Sequence, residues 1–188
     1  FSPDGNKLYF CAAKQMPIPE KYKEIRYSLC SIDFDKEKGT FGNRIDTLID
    51  AEKMKKSISF PRPSYDGKYI MFTLSDYGNF SIWHKEADLW LLNLQDGSLR
   101  TIHEVNSDNT ESFHNWSSNS HWFVFSSRRE DGLYTRLYLA CINKEGKVSK
   151  PFLLPQKNPM NYYDKLLYSY NVPEFTNSPV KIEPRKLE

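Results

Sequence analysis

Apolar residues along this chain fall in short runs separated by clusters of Gly, Pro, Asn, Asp and Ser, which is the patterning of strands and tight turns. One pattern occurs three times: Ser2-Pro-Asp-Gly-Asn-Lys-Leu-Tyr-Phe10, Ser64-Tyr-Asp-Gly-Lys-Tyr-Ile-Met-Phe72 and Ser117-Ser-Asn-Ser-His-Trp-Phe-Val-Phe125. Each copy enters its apolar run through a turn-forming pair, Asp4-Gly5, Asp66-Gly67 or Asn119-Ser120, as a hairpin needs where φ turns positive. Serine at 120 is the weaker turn residue, so the third copy reads as degenerate. A second strand signal follows each copy, at Tyr27 to Asp33, Asp88 to Asn93 and Arg136 to Asn143, and after a polar turn comes a last short run, at Ile45 to Ile49, Leu99 to Ile102 and Phe152 to Leu154. With the apolar residues ahead of each turn (Phe1; Phe60 to Arg62; Phe113 to Trp116), every unit reads as four short strands, A to D, joined by hairpins. Helical periodicity is confined to Pro19 to Glu24.

An all-β chain of repeated four-stranded antiparallel units is a set of β-propeller blades. The repeat predicts three, at about 1–50, 51–104 and 105–154, forming part of a larger ring of six or more blades. Three blades do not close a ring, so either further blades precede Phe1 in a longer protein or two chains associate. The remainder, 155–188, with prolines at 155, 159, 173, 179 and 184, reads as an extension packing its tyrosines (Tyr162, Tyr163, Tyr168, Tyr170) on the blades, disordered beyond about Thr176.

The spacing between copies exceeds a usual propeller repeat, and the excess sits in the B–C loops: Ala12 to Arg26, Ser75 to Ala87 and the shorter Arg128 to Thr135. In a blade these loops share a face with the D-to-A crossovers, opposite the tight A–B and C–D turns. Elaborated loops on one face of a rigid scaffold are where binding is expected.

Composition excludes more than it selects. The 188 residues are 39% hydrophobic and 15% aromatic, enough for a folded core, and the net charge of +2 gives no field to favour nucleic acid or an anionic membrane. No run is long and apolar enough to span a bilayer, and the start carries no signal-peptide pattern. Cys11, Cys30 and Cys141 are widely spaced and read as buried thiols without a disulfide or metal motif.

Candidate site residues follow from the loop face. Asp108, Glu111 and His114 lie where a crossover becomes the innermost strand of the third unit; Arg128 and Arg129 end its next strand; the second unit offers Asp76 and the Trp83-His84 pair. Arginines, histidine, carboxylates and an aromatic would suit an acidic sugar or a carboxylate-bearing peptide, since guanidinium pairs two-pronged with carboxylate. The plainer reading makes Glu111 with Arg128 or Arg129 a blade-to-blade ion pair and Asp108 a turn cap. No histidine spacing supports a metal, no cofactor motif is present, and no catalytic elbow, nucleophile pair or phosphate loop is found, so no catalytic residue is assigned. Trp90, Trp116 and Trp122 read as core and Trp83 as exposed.

The motif "FSPDGNKLYF" resembles the propeller repeat of TolB and its relatives, over about residues 1–154. The resemblance implies an exported, periplasmic or envelope-associated protein that binds a protein or glycan partner through its propeller; it carries over no particular binding residue. Two other readings stand beside a non-catalytic scaffold. One is a propeller lyase resembling oligogalacturonate lyases, with His84, His114, Arg128 and Arg129 as candidates; the other is a sensor or accessory domain of a larger envelope protein.

Overall fold

The three turn motifs fold alike in the computed structural model, which describes residues 1–180. Ser2 Oγ donates to Asp4 Oδ1 (2.5 Å) and accepts from Lys7 N (2.9 Å); Ser64 Oγ does the same with Asp66 (2.6 Å) and Tyr69 N (3.0 Å). Ser117 Oγ repeats it with Asn119 (2.6 Å) and Trp122 N (3.1 Å). The left-handed position falls on Gly5 (φ 75°), Gly67 (φ 70°) and, in the third copy, on Ser120 (φ 59°). A side chain there is strained. Its compensation is specific: Ser120 Oγ accepts from Asp66 N at 2.9 Å, tying the third turn to the second.

Each turn delivers an antiparallel sheet. The first contains β1 (Lys7–Ala12), β2 (Ser28–Asp35) and β3 (Thr40–Ile49). The second contains β4 (Ser57–Pro63), β5 (Tyr69–Ser75), β6 (Asp88–Asn93) and β7 (Leu99–Thr101), and the third β8 (Glu111–Trp116), β9 (Trp122–Ser127), β10 (Arg136–Cys141) and β11 (Phe152–Leu153). The propeller-blade fold is as predicted, with strands A to D in the second and third sheets. The first sheet has B, C and D: the residues ahead of β1 form the turn, and Phe1 packs edge-on to Phe34 with ring centres 5.1 Å apart. Short helices absent from the sequence reading are α1 (Ala51–Met54), capped by Asp50 in the first crossover, and α2 (Pro159–Tyr163), capped by Asn158; both are too short to leave a periodicity.

The middle sheet explains its own sequence. In β5, Ile70, Phe72 and Leu74 point to the first sheet and form a core with Leu29, Ile49 and Ile58, while Met71 points to the third and joins Leu89, Leu91, Trp116, Phe123 and Phe125. A strand buried on both faces reads as a continuous apolar run rather than an alternation. The inner strands β4 and β8 each carry a bulge at the same repeat position, Phe60 (φ 55°) and Phe113 (φ 46°), whose rings meet at 4.8 Å. Neither bulge has a glycine to announce it.

The tail lies on the third sheet. Phe123 and Phe125 face the second sheet, so by strand alternation Ser126 faces away from it, and there Ser126 Oγ donates to the Asn171 carbonyl (2.6 Å). Tyr170 N donates to Thr135 O (3.1 Å), Thr135 Oγ1 to Asn171 Oδ1 (2.9 Å), and Tyr163 hydroxyl to Leu154 O (2.5 Å). Glu174 then reaches both inner strands, pairing with Arg62 (3.8 Å) and accepting from Asn115. Tyr168 is exposed, and of the expected disordered end, residues 181–188 lie outside the described residues.

Other packing expectations need correction. Trp116 is core, but Trp122 is 40% exposed at a strand start, edge-on to Phe152, and Trp90 is half-buried. All three cysteines are free; Cys30 is buried, Cys11 and Cys141 are half-buried, and burial pushes the Cys11 thiol up to about 12. Among the described residues, no helix is long and apolar enough to cross a membrane.

Candidate functional site

The B–C loops of the first two sheets are tied together before any ligand arrives. Gly78 N donates to Ile25 O (2.8 Å) and Asn79 Nδ2 to Tyr22 O (3.2 Å), while the Tyr22 and Tyr77 rings meet edge-on at 5.8 Å. Gly78 is required for this approach, because a Cβ there would meet the Tyr27 ring. The chain then passes through Phe80 at φ 52° into a single 3₁₀ turn, Ser81–Trp83, which aims Trp83 outward. Tyr22, Tyr77, Asn79, Phe80, Trp83 and His84 line a cavity of about 410 Å³.

The third sheet completes this face. Arg128 N donates to Thr110 O (3.1 Å), Thr110 Oγ1 to His84 O (2.6 Å), and the Arg128 guanidinium lies 3.7 Å from the Trp83 ring centre. Trp83 is 65% exposed and Arg128 only 6%, so the stack presents an indole face outward with a cation beneath it. A cation over an indole is worth about 0.5–2 kcal/mol, more as water is excluded. Burial lowers the Arg128 pKa, and its Nε has no hydrogen-bond partner. A buried guanidinium N–H without an acceptor is costly, and the charge beneath the Trp83 ring makes this surface favourable to an anion.

The remaining candidates divide. His84 is buried behind Trp83, with Nε2 on the Asn79 carbonyl (2.9 Å), Nδ1 facing Glu86 (3.1 Å) and the Tyr77 ring at 4.1 Å. Asp76 is exposed, ion-paired with Lys56, and its N–H donates to Glu86 (3.3 Å). Asp108 is exposed on the crossover. Glu111 is fully buried, accepting from Ser107 N (2.9 Å), Ser107 Oγ (2.7 Å), Ser127 Oγ (2.7 Å) and Arg129 Nη2 (3.1 Å). Burial raises its pKa against those hydrogen bonds and the Arg129 charge. Arg129 is held further by Val105 O (2.5 Å) and the Tyr138 ring (4.4 Å). This pair lies within the third sheet and its entry, not between blades. His114 is buried beneath β4 and β5, its Nε2 donating to Met71 O (2.9 Å), and desolvation pulls its pKa down to about 4.

The structure therefore brings Trp83, His84 and Arg128 to one place and Glu111 with Arg129 to another. Tyr22, Tyr77, Asn79 and Phe80 were missed by sequence reasoning, although they lie in loops marked by their length and aromatic content. Among the described residues, no group of three or more His, Cys, Asp or Glu side chains converges as a metal site.

Among solved structures the chain is similar to a TolB from Agrobacterium tumefaciens, with a TM-score of 0.53 and 19% identity over 81% of this chain and 46% of that one. It is similar also to TolB from Acinetobacter baumannii, with a TM-score of 0.53 and 18% identity over 79% of this chain and 30% of that one. The fold is TolB-like. The chain spans less than half the length of either structure. No family model matches the sequence, and no curated protein matches it. At this identity the TolB-like likeness concerns the propeller alone, and the chemistry of the Trp83 face has to be argued from its own residues.

Proposed function

We propose that this chain is a non-catalytic TolB-like propeller scaffold that binds a protein or glycan partner through its B–C loop face. The blades divide at about residues 50 and 104, with the stretch from 155 onward as their cover. The observation that carries the reading is the exposed Trp83 ring stacked on the buried Arg128 guanidinium at 3.7 Å, beside a cavity whose loops are already pinned. Preorganised aromatic platforms lose little entropy on binding, and the Arg128 guanidinium beneath the ring sets a positive charge under this one, which favours a carboxylate. The partner class is therefore an acidic sugar or a carboxylate-bearing peptide. A location in the periplasm or cell envelope accords with the TolB-like fold, as does a role as one domain of a larger envelope protein.

The lyase reading draws less support: His114 is buried with a ring nitrogen on a main-chain carbonyl, and Arg129 is committed to Glu111. One titration separates the two. An oligogalacturonate added to the chain should quench Trp83 fluorescence without being cleaved, and Arg128→Ala or Trp83→Ala should weaken binding at least ten-fold. Cleavage of the oligosaccharide, lost in His114→Ala or Arg128→Ala, would replace the scaffold by the lyase; absence of binding by both the sugar and a glutamate-rich peptide would remove the site.

A further inference from the structure

The two inter-sheet seams differ at the end of the molecule away from the B–C loops. Between the second and third sheets the seam is sealed in three ways. Trp116 of β8 is buried against Phe123 and donates from its indole to Arg62 O (3.0 Å), covering Met71. Ser120 accepts from Asp66 N (2.9 Å). The C–D turn of the third sheet folds over the second, where Gly146 O accepts from Arg100 (2.6 Å) and Gly146 sits against the Tyr69 hydroxyl.

The same repeat positions at the other seam carry residues that do none of this. Pro63 stands where Trp116 stands one repeat later, Gly67 where Ser120 stands, and the second sheet's C–D turn is the tight Asn93–Gly97 hairpin. Tyr9, which occupies the place of the wholly buried Met71, is accordingly only half-buried. What remains is a cleft of about 690 Å³ between the first and second sheets.

Its lining has two parts. Tyr9, Leu48, Tyr65 and Leu94 give an apolar floor, and the carboxylates of Asp4, Asp33, Asp46 and Asp66 stand around it with Lys7 as the one basic side chain. Lys7 is already paired with Asp33, and from the rim Arg44 reaches Asp46 at 2.6 Å, Lys68 reaches Asp66 at 3.8 Å and Lys36 donates to the Asp4 carbonyl at 3.0 Å. Hydrogen bonds from the Ser2 hydroxyl and Asn6 hold Asp4 below the usual carboxylate range. The exposed pairs contribute little and yield to a competing cation.

We infer that this cleft is a second binding site, separate from the Trp83 face, and that it takes a short peptide segment of a partner protein bearing arginine or lysine next to an aliphatic residue. The inference rests on the unfilled seam and on charge complementarity: the aliphatic side chain takes the space that Trp116 fills at the other seam, and the guanidinium or ammonium meets the aspartates. It is independent of the proposed function.

The test is titration of the isotope-labelled chain with acetyl-Arg-Leu-Arg-amide, followed by amide chemical shifts. Saturable shifts are expected at Asp4, Tyr65 and Gly67, weakening as salt rises, with at least ten-fold weaker binding in Asp33→Asn/Asp46→Asn and unchanged binding in Trp83→Ala. Those carboxylates are exposed, so the double variant should keep the native spectrum; Tyr65→Ala is a second variant with the same expectation. Equal binding of acetyl-Glu-Leu-Glu-amide, shifts confined to the Trp83 face, or no saturable shifts would each overturn the inference.

Discussion

The carboxylate of Glu111, wholly buried, lies 3.1 Å from the guanidinium of Arg129, and neither group is free to meet a ligand. Two serine hydroxyls and the Ser107 amide complete its shell. Removing one partner of such a pair leaves the other uncompensated, so Glu111→Ala should destabilise the fold by about 3 kcal/mol while Glu111→Gln costs less. Because burial raises the Glu111 pKa above 4.5, the folded state binds this proton more tightly than the unfolded chain does. Its contribution is greatest below pH 4.5 and falls as pH rises through the folded value. Denaturant unfolding of wild type against Glu111→Gln should show that negative slope, and a slope of the other sign would mean the pair gains more from charge than burial takes away.

His114 titrates in the opposite sense. Its pKa falls from 6.5 to about 4 on burial, so stability is full above pH 6.5 and is lost between there and about 4. The shift corresponds to roughly 3 kcal/mol at about 1.4 kcal/mol per unit. His114→Gln, which keeps a donor for the Met71 carbonyl, should remove that loss when unfolding free energies are compared at pH 7 and pH 4. An unchanged pH dependence would show that His114 titrates normally.

Ser120 separates strain from bonding. Ser120→Ala keeps a side chain at φ 59° but deprives Asp66 N of its acceptor, and should cost about 1–2 kcal/mol. Ser120→Gly loses the same bond while relieving the backbone, and should be nearly neutral. Thermal unfolding should place Ser120→Gly near wild type and Ser120→Ala below both; equal midpoints for the two variants would mean the backbone at Ser120 stores no strain, and a Ser120→Ala midpoint equal to wild type would mean the tie between the turns carries no stability.

These residues also mark where the sequence could be read and where it could not. The turns were legible because Ser, Asp and Gly act within one hairpin, and β5 because a strand buried on both faces is apolar throughout. Ser120 looked like a weakened glycine, since its partner, Asp66, lies one repeat away. The Phe60 and Phe113 bulges carry no glycine signal, and Arg129 looked as available as Arg128 until folding set one on Glu111 and the other under Trp83. The cleft at Tyr9 was invisible for the same reason: it arises from Pro63 standing where a tryptophan stands one repeat later, a comparison that matters only once sheets face each other.

The tail bears on stability through the face it covers. Ser126 on the outward side of β9 binds the Asn171 carbonyl, Thr135 binds Asn171 and Tyr170, and Glu174 spans Arg62 and Asn115 on two inner strands. Truncation after Tyr168 removes these contacts, and at about 1 kcal/mol for each of the four hydrogen bonds it should lower stability by about 4 kcal/mol, with truncation after Val180 as the baseline. It also bares the outer side of the third sheet, including Val124, which is 5% exposed in the full chain. A sheet face stripped of cover associates with others. Light scattering should therefore show larger species for the Tyr168 truncation than for the Val180 one at equal concentration. If both have the same mass and the same unfolding midpoint, the tail is an appendage and the third sheet is stable without it.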